Sequence, residues 1–254
     1  MQIVTTTDSI NLSAAATLHA SLKHNGVLKK HDFAVIYFGE SNDVYTYFKR
    51  YKVKVIVNPT FPFNVEELVA KSRRNPTGHK ATWSKILLSE LFPKSRRILS
   101  LDTDTVVIKN VDDLETLDLK GFPLGGCKTI GFNSLSNLCP RGKFTQKELD
   151  VQMINAGVLL INTSVWREKF FNQMVENVAS YSKYFWYKRE QTLINFTARD
   201  QRIILPQKWN TMVHRNPMQS DTVIVHWAGP KPWNINRESN FPDLWKFYRR
   251  MVKL

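Results

Sequence analysis

The chain has 254 residues, of which 43% are hydrophobic and 23% charged, a balance typical of a globular protein and not of a disordered or fibrous one. No apolar stretch reaches the length of a membrane span, and no internal repeat is present. The formal net charge of +14 calls for an anionic partner: a nucleic acid, an anionic membrane surface or a phosphorylated small molecule. Because the basic residues are spread along the chain, a nucleic-acid partner is not expected.

The compartment is predicted from the first residues and the cysteines. The first five residues show no basic region followed by an apolar run, so no signal peptide is predicted. Cys127 and Cys139 are expected to be free thiols in a reducing environment. A cytoplasmic protein is therefore expected.

The C-terminal run from Trp245 to Lys253 interleaves aromatic and basic residues. Such a run suits peripheral contact with a membrane interface. A terminal helix that packs its aromatic side chains on the core explains the same pattern, so both interpretations stay open.

Buried strands alternate with helices in the first part of the chain. The predicted strands are Ile3–Thr7, Phe33–Phe38, Val53–Val57 and Arg97–Leu101, and the predicted helices are Leu12–Lys23 and Thr82–Leu91. The strands are continuously hydrophobic, which is typical of a parallel sheet covered by helices on both faces.

The second part of the chain continues the alternation. The predicted elements are a strand at Gly157–Ile161, a helix capped by Thr163 or Ser164 that reaches about Ser180, a helix at Thr192–Ala198, and strands at Ile203–Leu205 and Thr222–Val225. Residues 128–150 have the composition of a linker. The pattern predicts a single α/β domain with a mixed, mostly parallel sheet, in which ligands bind at the carboxyl ends of the strands.

Two aspartates follow the fourth predicted strand directly. Asp102 and Asp104 flank one residue, so both carboxylates project to the same side of the chain. Oxygen ligands of this kind suit Mg²⁺ or Mn²⁺ with diphosphate oxygens completing the shell. Taken alone, an acidic turn after a strand is the simpler interpretation.

A second polar segment follows the last predicted strand. His226 comes directly after that strand, Gly229 permits close backbone approach, and Lys231 stands between two prolines. A rigid loop of this kind offers an imidazole as a third metal ligand and an ammonium group for a diphosphate.

These segments belong to a longer series in fixed order. The series consists of Thr6-Thr7-Asp8, Thr82-Trp83-Ser84-Lys85, Leu101 to Asp104, Asn155 to Asn162 with Trp166, Glu190-Gln191 with Leu193-Ile194-Asn195, and His226 to Trp233. In this order they resemble glycosyltransferase family 8, which includes bacterial lipopolysaccharide galactosyltransferases and glycogenin. The chain departs from the family pattern at Glu190, where the family usually has aspartate.

The resemblance implies a fold and an activity. The fold is a single Rossmann-like domain of the GT-A type over residues 1–254, with a nucleotide-binding half at 1–110 and a donor-sugar and acceptor half at 111–254. The activity is metal-dependent transfer of a hexose, glucose or galactose, from a UDP-sugar to a glycan, lipid-linked or protein acceptor with retention of anomeric configuration. The implied cofactor is Mn²⁺ or Mg²⁺, and residues 128–150 are the expected acceptor region.

The resemblance also implies roles for individual residues. Asp102, Asp104 and His226 would hold the metal, and Gln191 and Glu190 would lie closest to the anomeric carbon. The donor would be bound by Asp8 at the base and by Lys85, Asp102, Thr103, Asn155, Ala156, Gly157, Gly229 and Lys231.

Three other functions compete with this one. A nucleic-acid-binding protein explains the charge but not the paired aspartates. A nucleotidyltransferase also uses paired carboxylates, yet Thr5 to Ser9 lacks the glycine of a phosphate-binding loop. A catalytically inactive nucleotide-sugar-binding protein stays open, because intact ligands do not require turnover.

Overall fold

The computed structural model describes residues 1–40, 42–70, 76–131, 134–140, 142–185, 189–234 and 236–252. The strands in this part of the chain are β1 Gln2–Asp8, β2 Asp32–Phe38, β3 Lys54–Val57, β4 Arg97–Leu101, β5 Thr105–Val107, β6 Leu124–Lys128, β7 Ile154–Asn162, β8 Arg202–Leu205, β9 Thr211–Met212 and β10 Ile224–His226.

Helices connect and cover these strands. The α-helices are α1 Leu12–His24, α2 Asn42–Arg50, α3 Val65–Ala70, α4 Pro76–Trp83, α5 Leu88–Leu91, α6 Asp112–Thr116, α7 Gln146–Leu149, α8 Thr163–Val165, α9 Phe171–Tyr181, α10 Arg189–Thr197 and α11 Pro242–Arg249. A π-helical segment, Trp166–Phe170, joins α8 to α9. Short 3₁₀ helices lie at Val27–Lys29, Ser84–Leu87, Leu135–Asn137, Ser182–Tyr184 and Gln207–Trp209.

Seven of the described strands form one mixed sheet in the order β3-β2-β1-β4-β7-β6-β8. The pairs β3–β2, β2–β1, β1–β4 and β6–β8 are parallel, and β7 is antiparallel to both of its neighbours. A small second sheet has the order β5-β10-β9. The predicted α/β fold with a mixed, mostly parallel sheet is confirmed.

Core clusters cover both faces of the large sheet. In β1, Val4 belongs to one cluster and Ile3 to the other. In β2, Ile36 belongs to the first cluster and Val35 to the second. Successive residues of a strand face opposite sides of the sheet. Alternate side chains of each continuous hydrophobic run are therefore buried in the two different clusters.

Two helical predictions need correction. The helix predicted at Thr82–Leu91 begins at Pro76 and tightens into a 3₁₀ helix at Ser84–Leu87. That segment contains Lys85, whose buried Nζ donates to the carbonyl of Ala156, so tertiary contacts override the α-helical spacing. The predicted cap at Thr163 or Ser164 is also wrong. Asn162 occupies the N-cap position, and the Thr163 hydroxyl donates to the carbonyl of Ser95.

Strand β6 was not predicted, because two glycines, Gly125 and Gly126, interrupt its hydrophobic pattern. A Cβ atom on Gly126 would lie 2.8 Å from Cδ1 of Ile154 on the neighbouring strand. The glycine pair therefore serves close packing between β6 and β7, which the composition alone does not reveal.

Residues 128–150 are not a simple linker. Among the described residues of this segment, Leu135, Leu138, Cys139 and Leu149 are buried, and α7 begins with a capping box at Thr145. Residues 132, 133 and 141 lie outside the described part of the chain.

Both cysteines are free and buried. Burial raises the pKa of the Cys127 thiol and that of the Cys139 thiol to about 12. Neither thiol is therefore poised for reaction at neutral pH.

The C-terminal helix α11 packs on the core. Trp245 and Tyr248 are buried, and the Tyr248 hydroxyl accepts a hydrogen bond from Asn25 Nδ2 of the segment after α1 at 2.9 Å. Phe247 is 44% exposed. Lys253 lies outside the described residues. Within the described residues, no helix combines the length and the apolarity that a membrane span needs.

Two substitutions separate packing from surface contact in α11. We expect Trp245→Ala to lower the free energy of unfolding by about 3 to 5 kcal/mol, because it empties a buried indole site. Phe247→Ala, the matched exposed position, should change it by less than about 0.5 kcal/mol. Urea unfolding measures both. Equal destabilisation by the two variants would contradict the packing role of α11.

Candidate active site

Asp102 and Asp104 lie in a tight turn at the carboxyl end of β4. The Asp102 amide donates to the carbonyl of Gly157 at 2.8 Å, and the Asp102 carbonyl accepts from the Thr105 hydroxyl at 2.7 Å. The Asp104 carbonyl accepts from the Trp227 amide at 2.9 Å. The turn is thus fixed to β7 on one side and to the segment after β10 on the other.

The small sheet brings His226 to the two carboxylates. In the antiparallel pair of β10 and β5, His226 lies opposite Thr105, the residue after Asp104. His226 Nε2 is 3.3 Å from Asp104 Oδ1. One ligand atom from each of Asp102, Asp104 and His226 can be chosen so that all three lie within 4.8 Å of one another. The three predicted metal ligands therefore converge in space.

Two lysines neutralise these carboxylates. Lys85 Nζ is buried, lies 2.6 Å from Asp102 Oδ1 and also donates to the Ala156 carbonyl at 2.9 Å. Lys231 Nζ pairs with Asp104 Oδ2 and donates to the Trp227 carbonyl at 2.9 Å. Both cations predicted to assist the diphosphate lie beside the carboxylate pair.

In this cluster the neighbouring charges shift the pKa values of the ionisable groups more than burial does. Burial alone would raise the pKa of Asp104, but Lys231 and His226 hold the pKa of that carboxyl well below its usual range. Burial alone would lower the pKa of Lys85, but Asp102 and Glu190 raise it above its ordinary value. Both groups are therefore ionised at neutral pH.

The predicted donor-sugar segment forms the first part of β7. Asn155 Oδ1 accepts from the Gly157 amide at 2.9 Å, and Gln191 Oε1 accepts from the Ala156 amide at 3.0 Å. Gln191 Nε2 is buried and has no hydrogen-bond partner among the described residues. A buried amide donor without a partner costs free energy, which a ligand with acceptor oxygens would recover.

Asn195 fixes this segment in place. Its Oδ1 accepts from the Ile154 amide at 2.7 Å, and its Nδ2 donates to the carbonyls of Ile154 and Gln191, each at 2.9 Å. One buried side chain on α10 thus sets the register between Gln191 and the start of β7, which explains why Asn195 trails the Glu190-Gln191 pair in the sequence pattern.

Gly157 leaves the space that His226 occupies. A Cβ atom at this position would lie 2.9 Å from His226 Nε2 and still closer to Cε1. Gly229 plays a similar part in the following loop, where a Cβ atom would lie 2.9 Å from the His214 ring. In both cases, glycine is required by close approach of an imidazole.

Asp8, Thr103 and Glu190 are the remaining predicted site residues. Asp8 ends β1, is fully buried and accepts two hydrogen bonds from Asn11, at 2.9 and 2.8 Å, so it organises the turn into α1. Thr103 is half-buried between the two aspartates. Glu190 is half-buried at the start of α10, beside Gln191.

Sequence reasoning missed Asn210. This residue is fully buried, its Oδ1 lies 2.8 Å from His226 Nδ1, and its Nδ2 donates to Asn155 Oδ1 at 3.0 Å. An amide oxygen can only accept, so Nδ1 of His226 carries a proton, and Nε2 is the nitrogen that faces Asp104. Asn210 thereby joins the predicted metal ligands to the predicted donor-sugar segment. Asn210 lies between Trp209 and the two-residue strand β9, and no motif or periodic spacing in the sequence indicates its role.

Asn210→Ala is expected to weaken Mn²⁺ binding by about 10- to 100-fold, because the oriented partner of His226 is lost. Manganese affinity is measured by electron paramagnetic resonance of free Mn²⁺. Asn25→Ala is the control, since it removes a part-buried asparagine with three hydrogen bonds, none of them made to His226 or to the two aspartates. Unchanged Mn²⁺ affinity in Asn210→Ala would show that His226 does not depend on it.

The model of a known protein family matches most of the chain. The model of the family described as Glycosyl transferase family 8 matches residues 2–237. The chain belongs to glycosyltransferase family 8. Membership confirms the predicted family and supports the prediction of an enzyme of the glycosyltransferase class.

Individual relatives are distant. Glycosyltransferase GlyA of Streptococcus pneumoniae is 26% identical over 170 residues, which cover 62% of this chain and 22% of GlyA. Glycosyltransferase GlyF of the same species is 24% identical over 195 residues, which cover 72% of this chain and 45% of GlyF. The chain therefore spans less than half the length of these relatives.

A solved structure covers the whole fold. The galactosyltransferase LgtC, solved with donor and acceptor sugar analogues, aligns with a TM-score of 0.78 at 19% identity. The alignment covers 100% of this chain and 97% of LgtC. At this identity the match supports the GT-A fold and nothing finer.

The residues present suit a divalent cation, which glycosyltransferases of family 8 commonly use. Two carboxylates and one imidazole converge with atoms within 4.8 Å, and the absence of a side chain at Gly157 allows the imidazole to take its place there. Carboxylate oxygens with a single imidazole suit Mn²⁺ or Mg²⁺ better than a thiolate-binding metal.

Proposed function

We propose that the chain transfers a hexose from a UDP-sugar to an acceptor with retention of anomeric configuration and depends on Mn²⁺ or Mg²⁺. The observation that carries the proposal is the convergence of Asp102, Asp104 and His226 beside two buried or half-buried lysines and an amide donor without a partner. Family membership supports the reaction class.

The first task of the site is to neutralise the leaving nucleoside diphosphate. A divalent cation bound by Asp102, Asp104 and His226 would act there as a Lewis acid. Lys231 pairs with Asp104, and about a third of its side chain is exposed, so its ammonium would supply positive charge to a diphosphate bound beside the carboxylates. Lys85 holds Asp102 and the Ala156 carbonyl in position, and its buried charge favours the anionic product.

The second task is to bind the sugar and stabilise positive charge at the anomeric carbon. The free Nε2 donor of Gln191 would bind a sugar oxygen, and Asn155, Ala156 and Gly157 would line the donor hexose. Glu190 would place a carboxylate near an oxocarbenium-like centre. Asp8 would contact the base from the end of β1, Thr103 and Gly229 would contact the diphosphate through their backbone, and residues 1–110 and 111–254 would form the two functional halves.

For the donor sugar and the acceptor, the proposal names classes of molecule. Glucose and galactose are the first candidates for the sugar, and a glycan, lipid-linked or protein group for the acceptor, bound in part by residues 128–150. The LgtC complex holds donor and acceptor sugar analogues on the same fold. The proposed setting is cytoplasmic, with peripheral membrane contact through the exposed Phe247 side of α11.

The proposal is tested by measuring donor hydrolysis with UDP-glucose, UDP-galactose and their GDP counterparts in the presence of Mn²⁺. Release of UDP from one UDP-sugar, at a rate that falls to background in EDTA, is the expected result. Tight UDP binding without hydrolysis or transfer of any donor would favour an inactive nucleotide-sugar-binding protein. Release of pyrophosphate from a nucleoside triphosphate would favour a nucleotidyltransferase.

Substitutions at Glu190 and Gln191 separate two routes to retention. Under front-face attack, Gln191→Ala should lower turnover by about 10- to 100-fold, as for loss of one oriented polar group. Glu190→Gln should lower turnover by a larger factor, because it removes a full charge beside the anomeric carbon. A nearly inactive Glu190→Gln that azide rescues would instead identify Glu190 as a covalent nucleophile.

A further inference from the structure

A cleft of about 1,000 Å³ lies at the end of the large sheet opposite the catalytic carboxylates. Its wall includes Gln2 where β1 begins, Arg97 where β4 begins and Asn162 where β7 ends. Asp102 follows the other end of β4, and a five-residue strand spans roughly 13 Å. The cleft is therefore separate from the proposed active site.

Cations dominate the wall of this cleft. Lys94, Arg96, Arg97 and Arg167 line it. The carboxylates on the same wall are Asp32 and Glu115, and Glu115 is paired with the amino terminus at 2.6 Å. Positive charge thus exceeds negative charge, and a concave wall concentrates the resulting field.

Part of this positive charge is held close together. Arg97 stands beside Arg96 in the chain, and its pKa is lowered by burial and, to a lesser degree, by the Arg96 cation, although Asp118 opposes both. Adjacent like charges repel each other unless an anion lies between them. The arrangement favours binding of a negatively charged group in the cleft.

The two half-buried arginines also keep donors that make no hydrogen bond within the described part of the chain. Arg97 Nη2 donates to the Leu117 carbonyl at 2.8 Å, and Arg167 Nη2 donates to the Pro93 carbonyl at 3.0 Å. Arg97 Nη1 and Arg167 Nε are buried and make no hydrogen bond among the described residues, although Glu90 Oε1 forms an ion pair with Arg167 Nε at 3.9 Å. A buried guanidinium N–H without an acceptor is costly, and a ligand with several acceptor oxygens would offset that cost after a small rotation of the side chain.

We propose that this cleft is a second anion site, formed by Lys94, Arg96, Arg97 and Arg167, that binds a soluble ligand carrying two or more phosphate groups. Guanidinium forks match phosphate oxygens in geometry, and a multiply charged ligand neutralises several of these cations at once. This site is independent of the catalytic proposal, because it shares no residue with the carboxylate cluster.

A phosphate group can also come from a membrane lipid, but the cleft lacks the apolar rim that membrane contact uses. The large hydrophobic side chains exposed among the described residues are Ile10, Ile204, Phe241 and Phe247, and none of them lines the cleft. The soluble source is therefore the one proposed.

The test is isothermal titration of the full chain with inorganic pyrophosphate in EDTA. The variant K94Q/R96Q removes two exposed cations of the cleft, and K147Q/K183Q removes two exposed lysines outside it. We expect pyrophosphate affinity to fall at least about tenfold in K94Q/R96Q and less than about twofold in K147Q/K183Q, since each charge-assisted contact contributes appreciably.

Two outcomes would overturn the proposal. Equal losses in K94Q/R96Q and K147Q/K183Q would show attraction to the overall charge of the chain. Unchanged pyrophosphate affinity in K94Q/R96Q, together with lost sedimentation on phosphatidylglycerol vesicles, would assign the cleft to a lipid surface. Thermal melting of each variant checks the fold, and because Lys94 and Arg96 are exposed, no variant-specific drop in melting temperature is expected.

Discussion

Asp104→Asn is expected to lower sugar transfer by at least about 100-fold while the protein remains folded. The substitution removes the charge of a proposed metal ligand, and a loss of about 3 kcal/mol in stabilisation of the leaving diphosphate gives this factor. Asp102→Asn should have an effect of similar size, because Asp102 supplies the other carboxylate of the cluster.

The controls for these variants separate metal binding from folding. Asp113→Asn changes an exposed aspartate on α6 and should leave both transfer and Mn²⁺ affinity unaltered. Mn²⁺ affinity, measured by electron paramagnetic resonance, should fall for both active-site variants and not for the control. If Asp104→Asn binds Mn²⁺ as well as the parent, Asp104 is not a metal ligand.

Gly157→Ala should also abolish most activity, although it adds only one methyl group. The new Cβ atom would lie 2.9 Å from His226 Nε2 and closer still to Cε1, so the imidazole must leave its place. Displacing His226 removes one ligand and its alignment with Asn210, and a loss of about 100-fold or more in transfer is expected.

The matched variant for this experiment is Gly125→Ala on the adjacent strand β6. The nearest atoms to its Cβ would belong to the Leu119 and Leu205 side chains, each at 3.1 Å, so it tests overpacking against apolar side chains. Gly125→Ala should lower the melting temperature and keep Mn²⁺ affinity. If Gly157→Ala retains parental Mn²⁺ affinity, the close approach of His226 does not matter to the metal site.

The sequence allowed the large sheet and the carboxylate cluster to be predicted for physical reasons. The strands at Phe33–Phe38 and Arg97–Leu101 are continuously hydrophobic because both faces are covered, and that pattern is visible without a structure. Asp102 and Asp104 alone suggested only an acidic turn after a strand, and the His226 segment together with the family pattern made them predicted metal ligands.

Other features were not accessible from the sequence. A strand was predicted at Thr222–Val225, where the structure has β10, but β5 and β9 are too short for a periodic signal. The pairing of β10 with β5, which brings His226 to Asp104, was therefore not predicted. Asn210 and the glycine pair of β6 owe their importance to neighbours distant in sequence. The ion pair of Lys231 with Asp104 depends on that same pairing of β10 with β5.

The proton NMR spectrum of the product formed from the donor that the screen identifies tests the central claim most directly. From an α-linked UDP-hexose, with Mn²⁺ and an accepted sugar, the small H1–H2 coupling of an α-glycoside is the predicted result. A β-linked product would contradict retention and leave only a nucleotide-sugar site standing. Parental transfer in EDTA would contradict the role assigned to Asp102, Asp104 and His226.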